Sequence, residues 1–261
     1  MNPHPPAPAE DLQPAARLAL ACLDLTRLDD ADTPADIATL CDQALGPQGA
    51  VAAVCVWPRF VAQARAALPR SVKVAAVANF PAGSKDVDGA LRDAEAILQA
   101  GGDEVDLVLP WRALMEGNHR AACALVAAVR RATEGHALKL ILESGELKDA
   151  ALIATASRIG LDEGVDFLKT STGKTPQGAS LDAARVMLQA IAAQPRAVGF
   201  KASGGVRTVR DAAGYIALVR ELLGAGALTP QRLRFGASGL LADIAATLDG
   251  RTSPAAPGSG Y

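Results

Sequence analysis

The feature that most constrains the fold of this chain is a regular alternation of two hydrophobic patterns. Short runs of apolar residues, many of them β-branched, recur along the sequence, as expected of parallel strands buried on both faces. Between these runs the apolar residues follow helical spacing; Val87, Leu91, Ala94 and Leu98, for example, share one helical face. We predict strands at residues 20–25, 51–56, 72–77, 104–109, 138–142, 165–169, 197–201 and 233–236.

Eight strand–helix units of roughly 30 residues each predict an α/β fold, a single (β/α)8 TIM barrel, which typically takes about 250 residues. The chain has 261 residues. The alternative is an open, doubly wound sheet, which usually has fewer strands and a glycine-rich turn after the first one. Residues 26–30 read Thr-Arg-Leu-Asp-Asp and contain no such turn. The closed barrel is therefore favoured.

The two ends of the chain differ in composition from the middle. Residues 1–11 are rich in proline, and residues 251–261 are rich in proline, glycine and serine, which favours a disordered N-terminal tail and a flexible C-terminal tail. No linker-like segment interrupts residues 12–250. We therefore expect one barrel domain over residues 12–250, with an extra N-terminal segment and a flexible tail that ends in Tyr261.

Composition argues against several classes of function. A formal net charge of −2 provides no basic field for binding nucleic acid or an anionic membrane. We find no signal peptide and no apolar run of the roughly 18 residues that a membrane span needs, so a cytoplasmic protein is expected. The four cysteines form neither a CxxC pair nor a cluster with histidine, so we expect reduced thiols, no metal site and no cofactor.

Two lysines stand at predicted strand ends, where the functional groups of a TIM barrel collect. Lys169 shares a strand face with Phe167, and Lys201 shares a face of the next strand with Gly199. The chain has only seven lysines against nineteen arginines, so lysine is not its usual surface cation. If both faces point inward, the two ammonium groups meet in the mouth of the barrel.

Paired lysines would supply a nucleophile. A lysine with a pKa near 10.4 is protonated at neutral pH and attacks carbonyls poorly. Two like charges about 5 Å apart, at an effective dielectric constant of about 20, repel by roughly 3 kcal/mol, which is about 2 pK units. One of the two could then be neutral often enough to attack an aldehyde. The alternative is that each lysine reaches outward or pairs with an acid. That alternative is favoured for a single lysine, whereas two lysines on neighbouring inner faces favour catalysis.

Further polar residues lie on the predicted strands. Asp106 and Asp24 are carboxylates in otherwise apolar runs, and burying them costs several kcal/mol unless they are paired. A lysine in the same mouth is the expected partner, so we interpret Asp106 as an acid–base group, a buried ion pair, or both. Cys55, at the end of the second strand, is interpreted as an inert buried thiol and kept as a candidate substrate contact.

Glycine clusters predict a phosphate site. Residues 204–207 follow the seventh strand, and residues 236–239 follow the eighth and open a helix. Amides at a helix N-terminus bind anions, and the loops after strands seven and eight are a frequent phosphate site in barrels. Ordinary tight turns are the alternative. The candidates are Gly173, Lys174, Gly204, Gly205, Val206, Arg207, Gly236, Ser238 and Gly239.

At these residues the chain resembles the deoxyribose-phosphate aldolases, from about residue 20 to residue 248. The resemblance includes the motifs Lys169-Thr-Ser-Thr-Gly-Lys174 and Gly199-Phe-Lys201. The matching stretches are residues 23–26, 54–60, 79–81, 104–112, 114–118, 143–148, 166–174, 199–201, 204–207 and 234–238.

The resemblance implies a class I aldolase without metal or cofactor, acting on small-molecule aldehyde and sugar-phosphate substrates in deoxynucleoside catabolism. It would join acetaldehyde to glyceraldehyde 3-phosphate, giving 2-deoxy-D-ribose 5-phosphate, as a homodimer. Lys169 would form the Schiff base, Lys201 would lower its pKa, and Asp106 would transfer protons with Lys201. Asp24 and Thr172 would position the sugar, and Tyr261 is a candidate proton shuttle.

The chain departs from the family pattern at two places. It has Lys201-Ala-Ser-Gly-Gly where the family often has Lys-Pro-Ala-Gly-Gly, and Ser238-Gly239 where the family often has two serines. Loss of the second hydroxyl should weaken phosphate binding by roughly 1 kcal/mol unless the Gly239 amide compensates. Another Schiff-base aldolase, a transaldolase and a non-catalytic sugar-phosphate-binding barrel remain alternatives.

Overall fold

The strands form a closed barrel in sequence order. A computed structural model describes residues 11–251, in which eight parallel strands pair from β1 to β8 and β8 pairs with β1. Each strand overlaps one predicted from the sequence, which confirms the TIM barrel over the open sheet. The strands are β1 Leu23–Thr26, β2 Ala53–Val56, β3 Lys73–Ala78, β4 Glu104–Val108, β5 Ala137–Ile141, β6 Phe167–Lys169, β7 Gly199–Ser203 and β8 Leu233–Ala237.

Helices connect the strands and cover the outside of the barrel. The extra N-terminal segment predicted from the sequence is a helix, α1, which precedes β1 and packs on α10 and α11. The helices are α1 Gln13–Ala21, α2 Pro34–Gln43, α3 Val61–Ala67, α4 Val87–Gln99, α5 Trp111–Met115, α6 His119–Ala132, α7 Ser144–Leu147, α8 Ala150–Asp162, α9 Leu181–Ala192, α10 Val209–Leu223 and α11 Leu240–Leu248, with short 3₁₀ turns at Pro58–Phe60 and Ala225–Ala227.

The main apolar core lies between the strands and the helices. Successive side chains of a strand point to opposite faces, so alternate residues of each strand pack outward. The packing is close at Gly160 of α8, where an added Cβ would stand 2.8 Å from Cδ2 of Leu140. A larger residue there would push α8 away from the barrel wall.

The inside of the barrel is unusual because charged side chains occupy it. Barrel interiors are usually layers of branched apolar residues contributed by alternate strands. Here the register pairs Asp106 with Lys139, Lys169 with Lys201, and Lys201 with Arg234. Their side chains are almost completely buried, so the sequence places an ionic cluster where most barrels place a hydrocarbon core.

Some predictions concern residues beyond those that the structure describes. The two tails lie there, apart from Asp11 and Arg251, and so does Tyr261. Between residues 11 and 251, none of the helices combines the length and the apolar character required to cross a membrane.

Candidate active site

The two lysines predicted to meet do so on one carboxylate. Lys169, the last residue of β6, lies beside Lys201 of β7. Their Nζ atoms donate to the same oxygen, Oδ2 of Asp106, at 2.7 Å and 2.8 Å respectively. All three side chains are at most 3 % exposed. The predicted grouping of these residues inside the barrel is therefore what the structure has.

The cluster extends to residues that the sequence reasoning missed. Lys139 of β5 lies 2.8 Å from Oδ1 of Asp106 and 2.5 Å from Oε2 of Glu104. Arg234 of β8 bridges Glu104 at 2.8 Å and Asp24 at 2.6 Å, and Asp24 accepts from Lys201 at 2.5 Å. The available signal was a lysine in the centre of the apolar run Ala-Leu-Lys-Leu-Ile. A charged side chain in a buried strand needs a partner, as it does at Asp106.

Charge balance within this cluster points to one neutral amine. The cluster contains four cationic side chains and only three carboxylates, Asp24, Glu104 and Asp106. An unpaired charge is costly in a buried site, so loss of one proton is favoured. Burial lowers the pKa of Lys169, and the charge of Lys201 lowers it further, while Asp106 opposes both effects. Lys169 is thus the cation that can give up its proton.

The lowered pKa of Lys169 has two causes, and burial is the larger of them. Repulsion by Lys201, the cause estimated from the sequence, is the smaller one. Burial also opposes the charge of Lys201, but Asp106 and Asp24 hold the pKa of Lys201 well above its usual value. Lys201 therefore remains a charged donor beside a lysine that is easily deprotonated.

The two aspartates are ionised anchors. Burial favours the protonated form of Asp106, but Lys139, Lys169 and Lys201 together hold its pKa well below the usual range. Asp24 has a lowered pKa for the same reason, because Arg234 and Lys201 outweigh its burial. Both carboxylates accept hydrogen bonds throughout the neutral pH range. Their geometry orients the ammonium groups of the two lysines.

Cys55 lies beside the same ionic cluster. Its Sγ lies 3.9 Å from Oδ2 of Asp106, and burial raises the pKa of the thiol, which stays protonated. This fits the interpretation of a poorly reactive thiol. Cys55 packs with Leu28, Ala75 and Val77 in a small apolar cluster bordered by Trp57 and Phe80. Through Cys55 this cluster reaches Asp106.

The predicted phosphate loops lie after β6, β7 and β8. Gly173, Gly204 and Gly205 have φ angles of 80°, 79° and 92°, which favour glycine. Helix α11 begins at Leu240 after Gly239, and no described side chain caps it, so the amides of its first turn are open to an anion.

The start of α10 is less open than the sequence suggested. The backbone amides of Arg207 and Thr208 both donate to Asp211, at 3.0 Å and 2.9 Å, and Val206 is buried. Lys174 reaches across the mouth of the barrel, where its Nζ donates to the carbonyl of Leu28 at 2.7 Å. The amide of Arg207 is thus already engaged within the chain.

Thr172 has a partner that the sequence reasoning did not assign to the site. Its hydroxyl donates to Oε2 of Glu143 at 2.6 Å, so its hydrogen is already used. Two neighbouring hydroxyls, those of Ser144 and Ser171, are buried without a partner among the described residues. Buried hydroxyls without a partner are uncommon in folded proteins, and these two follow β5 and β6.

Comparisons with known proteins agree with this geometry. The profile of the DeoC/LacD family aldolases matches residues 18–243. A curated deoxyribose-phosphate aldolase of Agrobacterium fabrum is 48 % identical over 250 residues, covering 95 % of this chain and 96 % of that protein. Among the residues described, no group of three or more His, Cys, Asp or Glu is placed to hold a metal ion.

Solved structures share the fold. A Toxoplasma gondii ME49 protein assigned as a deoxyribose-phosphate aldolase superposes with a TM-score of 0.84 at 25 % identity, covering 92 % of this chain and 97 % of that one. The deoxyribose phosphate aldolase of Aeropyrum pernix, described as tetrameric, gives 0.68 at 24 % identity, covering 92 % and 98 %. With its family profile matched over most of the barrel, this chain belongs to the DeoC/LacD family of aldolases.

Proposed function

We propose that this protein reversibly cleaves 2-deoxy-D-ribose 5-phosphate to glyceraldehyde 3-phosphate and acetaldehyde through a Schiff base on Lys169. The observation that carries the proposal is the pair of lysines on Asp106: one has a lowered pKa, and the other stays charged beside it. A class I aldolase needs such a neutral amine together with a nearby proton donor.

The neutral Nζ of Lys169 attacks C1 of the open-chain sugar. Lys201 lies beside it and donates the proton that lets the carbinolamine hydroxyl leave as water, giving an iminium. The iminium accepts the electron pair of the C2–C3 bond as that bond breaks. Lys201, neutral after that donation, accepts the proton of the C3 hydroxyl as glyceraldehyde 3-phosphate departs, and an enamine remains on Lys169.

Protonation of the enamine at C2 gives the imine of acetaldehyde, and water then hydrolyses the imine and restores Lys169. Lys201, whose ammonium group donates to Asp24 and shares Oδ2 of Asp106 with Lys169, is the proposed donor. Asp106 assists by keeping Lys201 charged and oriented. Tyr261, beyond the described residues, remains a second candidate for this proton.

The phosphate would bind at the open first turn of α11 and at the loops after β6 and β7. The anion would gain the amides that follow Ser238 and Gly239, the backbone at Gly173, Gly204 and Gly205, and the charge of Lys174. Gly236 permits the close approach of Lys201, and Val206 and Arg207 complete the loop. Asp24, Thr172 and Cys55 would lie nearer the sugar carbons.

Broader proposals on domain, location and assembly accompany this activity. The catalytic domain would comprise residues 12–250, and the protein would act in the cytoplasm as a homodimer without nucleic-acid partners.

A different Schiff-base aldolase or a transaldolase would use another donor, so a panel of donor aldehydes and ketones separates these enzymes from the proposed one. Only the proposed reaction requires acetaldehyde.

Borohydride trapping tests the proposed function. We expect reduction in the presence of deoxyribose 5-phosphate to add a stable adduct at Lys169, located by peptide mass spectrometry, with turnover insensitive to chelator. Lys169→Ala should abolish both adduct and turnover, whereas Lys85→Ala, at an exposed lysine, should change neither. An adduct at Lys139, Lys174 or Lys201, or none at all, would contradict the assignment.

A further inference from the structure

One buried carboxylate holds the loop that connects β6 to α9. Glu143, fully buried at the end of β5, accepts hydrogen bonds from the backbone amide and the hydroxyl of Thr172, at 3.2 Å and 2.6 Å. The hydroxyl of Thr175 lies 3.3 Å from the same carboxylate and 3.2 Å from the carbonyl oxygen of Gln177, so its one hydrogen is shared between these two acceptors. These two threonines bracket Gly173 and Lys174. A single side chain therefore fixes both sides of a dipeptide that belongs to the proposed phosphate site.

The backbone around Glu143 locks three loops together. A Cβ added to Gly145 would lie 1.9 Å from the carbonyl oxygen of Gln177, and one added to Gly178 would lie 2.2 Å from that of Gly204. The segment after β5 thus touches the loop after β6, which touches the loop after β7. Because these contacts leave no room for side chains, displacement of one loop is passed to the next.

The conformation of Glu143 indicates that its position is specified. Its φ and ψ angles are 58° and 54°, a left-handed conformation that residues other than glycine seldom adopt. Such conformations persist where surrounding contacts over-determine them, often beside functional sites. Burial also raises the pKa of Glu143, although the hydrogen bonds from Thr172 and Thr175 oppose that effect.

We propose that Glu143 is a positioning residue that shapes the loop of residues 172–175 for the phosphate group of the substrate. It acts through Thr172 and Thr175 and does not itself contact the phosphate. This inference rests on the proposed function, since it assumes a phosphorylated sugar in the barrel mouth. It makes Glu143 a determinant of the preference for phosphorylated over unphosphorylated sugars, separate from the chemistry at Lys169.

The test compares deoxyribose 5-phosphate with unphosphorylated 2-deoxyribose. For Glu143→Ala we expect kcat/KM on the phosphorylated sugar to fall about tenfold, mostly through KM, because the loop loses its hydrogen bonds. The value for deoxyribose should fall less, by no more than about threefold, because Thr172 also lies near the sugar while the hydrogen bonds of Lys169 and Lys201 to Asp106 are untouched. Turnover of deoxyribose also shows that the variant is folded.

Matched variants separate position from charge. Glu143→Gln keeps an oxygen that accepts from Thr172 and gains an amide that can donate to Thr175, so both substrates should keep native values within about threefold. Glu146→Ala removes a carboxylate from α7, the short helix that follows Glu143, and should have no effect, because within the described structure Glu146 is not hydrogen-bonded to either threonine. If Glu143→Ala does not fold, Thr175→Val should still give a rise in KM of about threefold, confined to the phosphorylated sugar.

Three results would overturn the inference. One is an equal loss on both substrates in Glu143→Ala or Thr175→Val. Another is a shift in the pH profile of Glu143→Gln, which would mean that the charge of Glu143 acts on Lys169. The third is an unchanged KM in every variant. A native enzyme that turns over neither sugar defeats the proposed function itself, which distinguishes the two failures.

Discussion

Lys139 and Asp106 lie opposite each other in the register of β5 and β4, and Nζ of Lys139 is 2.8 Å from Oδ1 of Asp106. The other oxygen of Asp106 serves Lys169 and Lys201. One carboxylate therefore divides its two oxygens between a lysine below the proposed reaction centre and the two lysines within it. We expect the lower lysine to influence the chemistry through this shared carboxylate, without contacting the substrate.

Lys139→Met should raise the pKa of Lys169. Without Lys139 the cluster has three cations and three carboxylates, so it is balanced only when Lys169 is protonated. We expect kcat/KM at neutral pH to fall at least about tenfold and the acidic limb of its pH profile to move to higher pH. The measurement is kcat/KM for deoxyribose 5-phosphate as a function of pH.

Controls for this variant address its stability. Removing one partner of a buried ion pair costs about 3–5 kcal/mol, so the free energy of unfolding must be measured by urea denaturation alongside activity. Lys85→Met removes an exposed lysine and should alter neither quantity. A folded Lys139→Met enzyme with an unchanged pH profile would show that charge balance does not set the pKa of Lys169.

The fold was predictable because it rests on periodicity. Each of the eight strands lies in a mostly apolar run that any hydrophobicity scale detects. The connecting helices follow from apolar residues at helical spacing. The grouping of Lys169, Lys201 and Asp106 was predictable for a related reason, because a charged side chain in an apolar strand needs a partner of opposite charge. The predictions on Tyr261 fall on residues outside those described, so they stay predictions.

The missed residues were missed for physical reasons. Glu143 stands at the end of a predicted strand, but its role was not predicted, because only tertiary hydrogen bonds to Thr172 and Thr175 distinguish it from other loop acids. The role of burial in lowering the pKa of Lys169 also depends on the complete barrel, because a sequence gives the spacing of two charges but not their shielding from water. Arg234 could be recognised only once its register with Lys201 was known.

Gly236→Ala should disable the site while leaving the barrel intact. An added Cβ would stand 2.9 Å from Cε of Lys201 and 2.9 Å from Cβ of Ser203, so the Lys201 ammonium must move off Asp106 or Asp24. We expect kcat to fall at least about tenfold, with a loss of stability of about 1–3 kcal/mol from overpacking. Circular dichroism would check that the variant is folded. A native kcat in the folded variant would show that catalysis tolerates a shift of Lys201.

Acid should unfold the protein through the buried aspartates. The pKa values of Asp24 and Asp106 are lowered in the folded state, so below their unfolded value of 3.8 the unfolded chain binds more protons. Stability is therefore fully present above that pH and is lost as the pH falls below it. In Asp24→Asn, the free energy of unfolding between about pH 5 and pH 2 should change less steeply than in the native protein. An equal slope would mean that Asp24 does not contribute.

Gly239→Ser should tighten the binding of phosphorylated substrates. Gly239 has φ −85° and ψ −17°, which any L-residue adopts, and an added Cβ would meet no atom within 4 Å. The new hydroxyl stands at the open first turn of α11, where it can donate to the phosphate, and one such hydrogen bond of roughly 1 kcal/mol lowers KM about fivefold. The KM for unphosphorylated deoxyribose should not change.

Gly239→Ala is the matched control, because it adds the Cβ without the hydroxyl and should keep the native KM. The serine could instead cap α11 by accepting from an amide of its first turn, which would raise the melting temperature and compete with the phosphate for those amides. A higher melting temperature together with a higher KM would show that the serine cap displaces the phosphate from those amides, whereas an unchanged KM would place the phosphate elsewhere than the start of α11. A lower KM confined to the phosphorylated sugar would place it there, since no other contact differs between the serine and alanine variants.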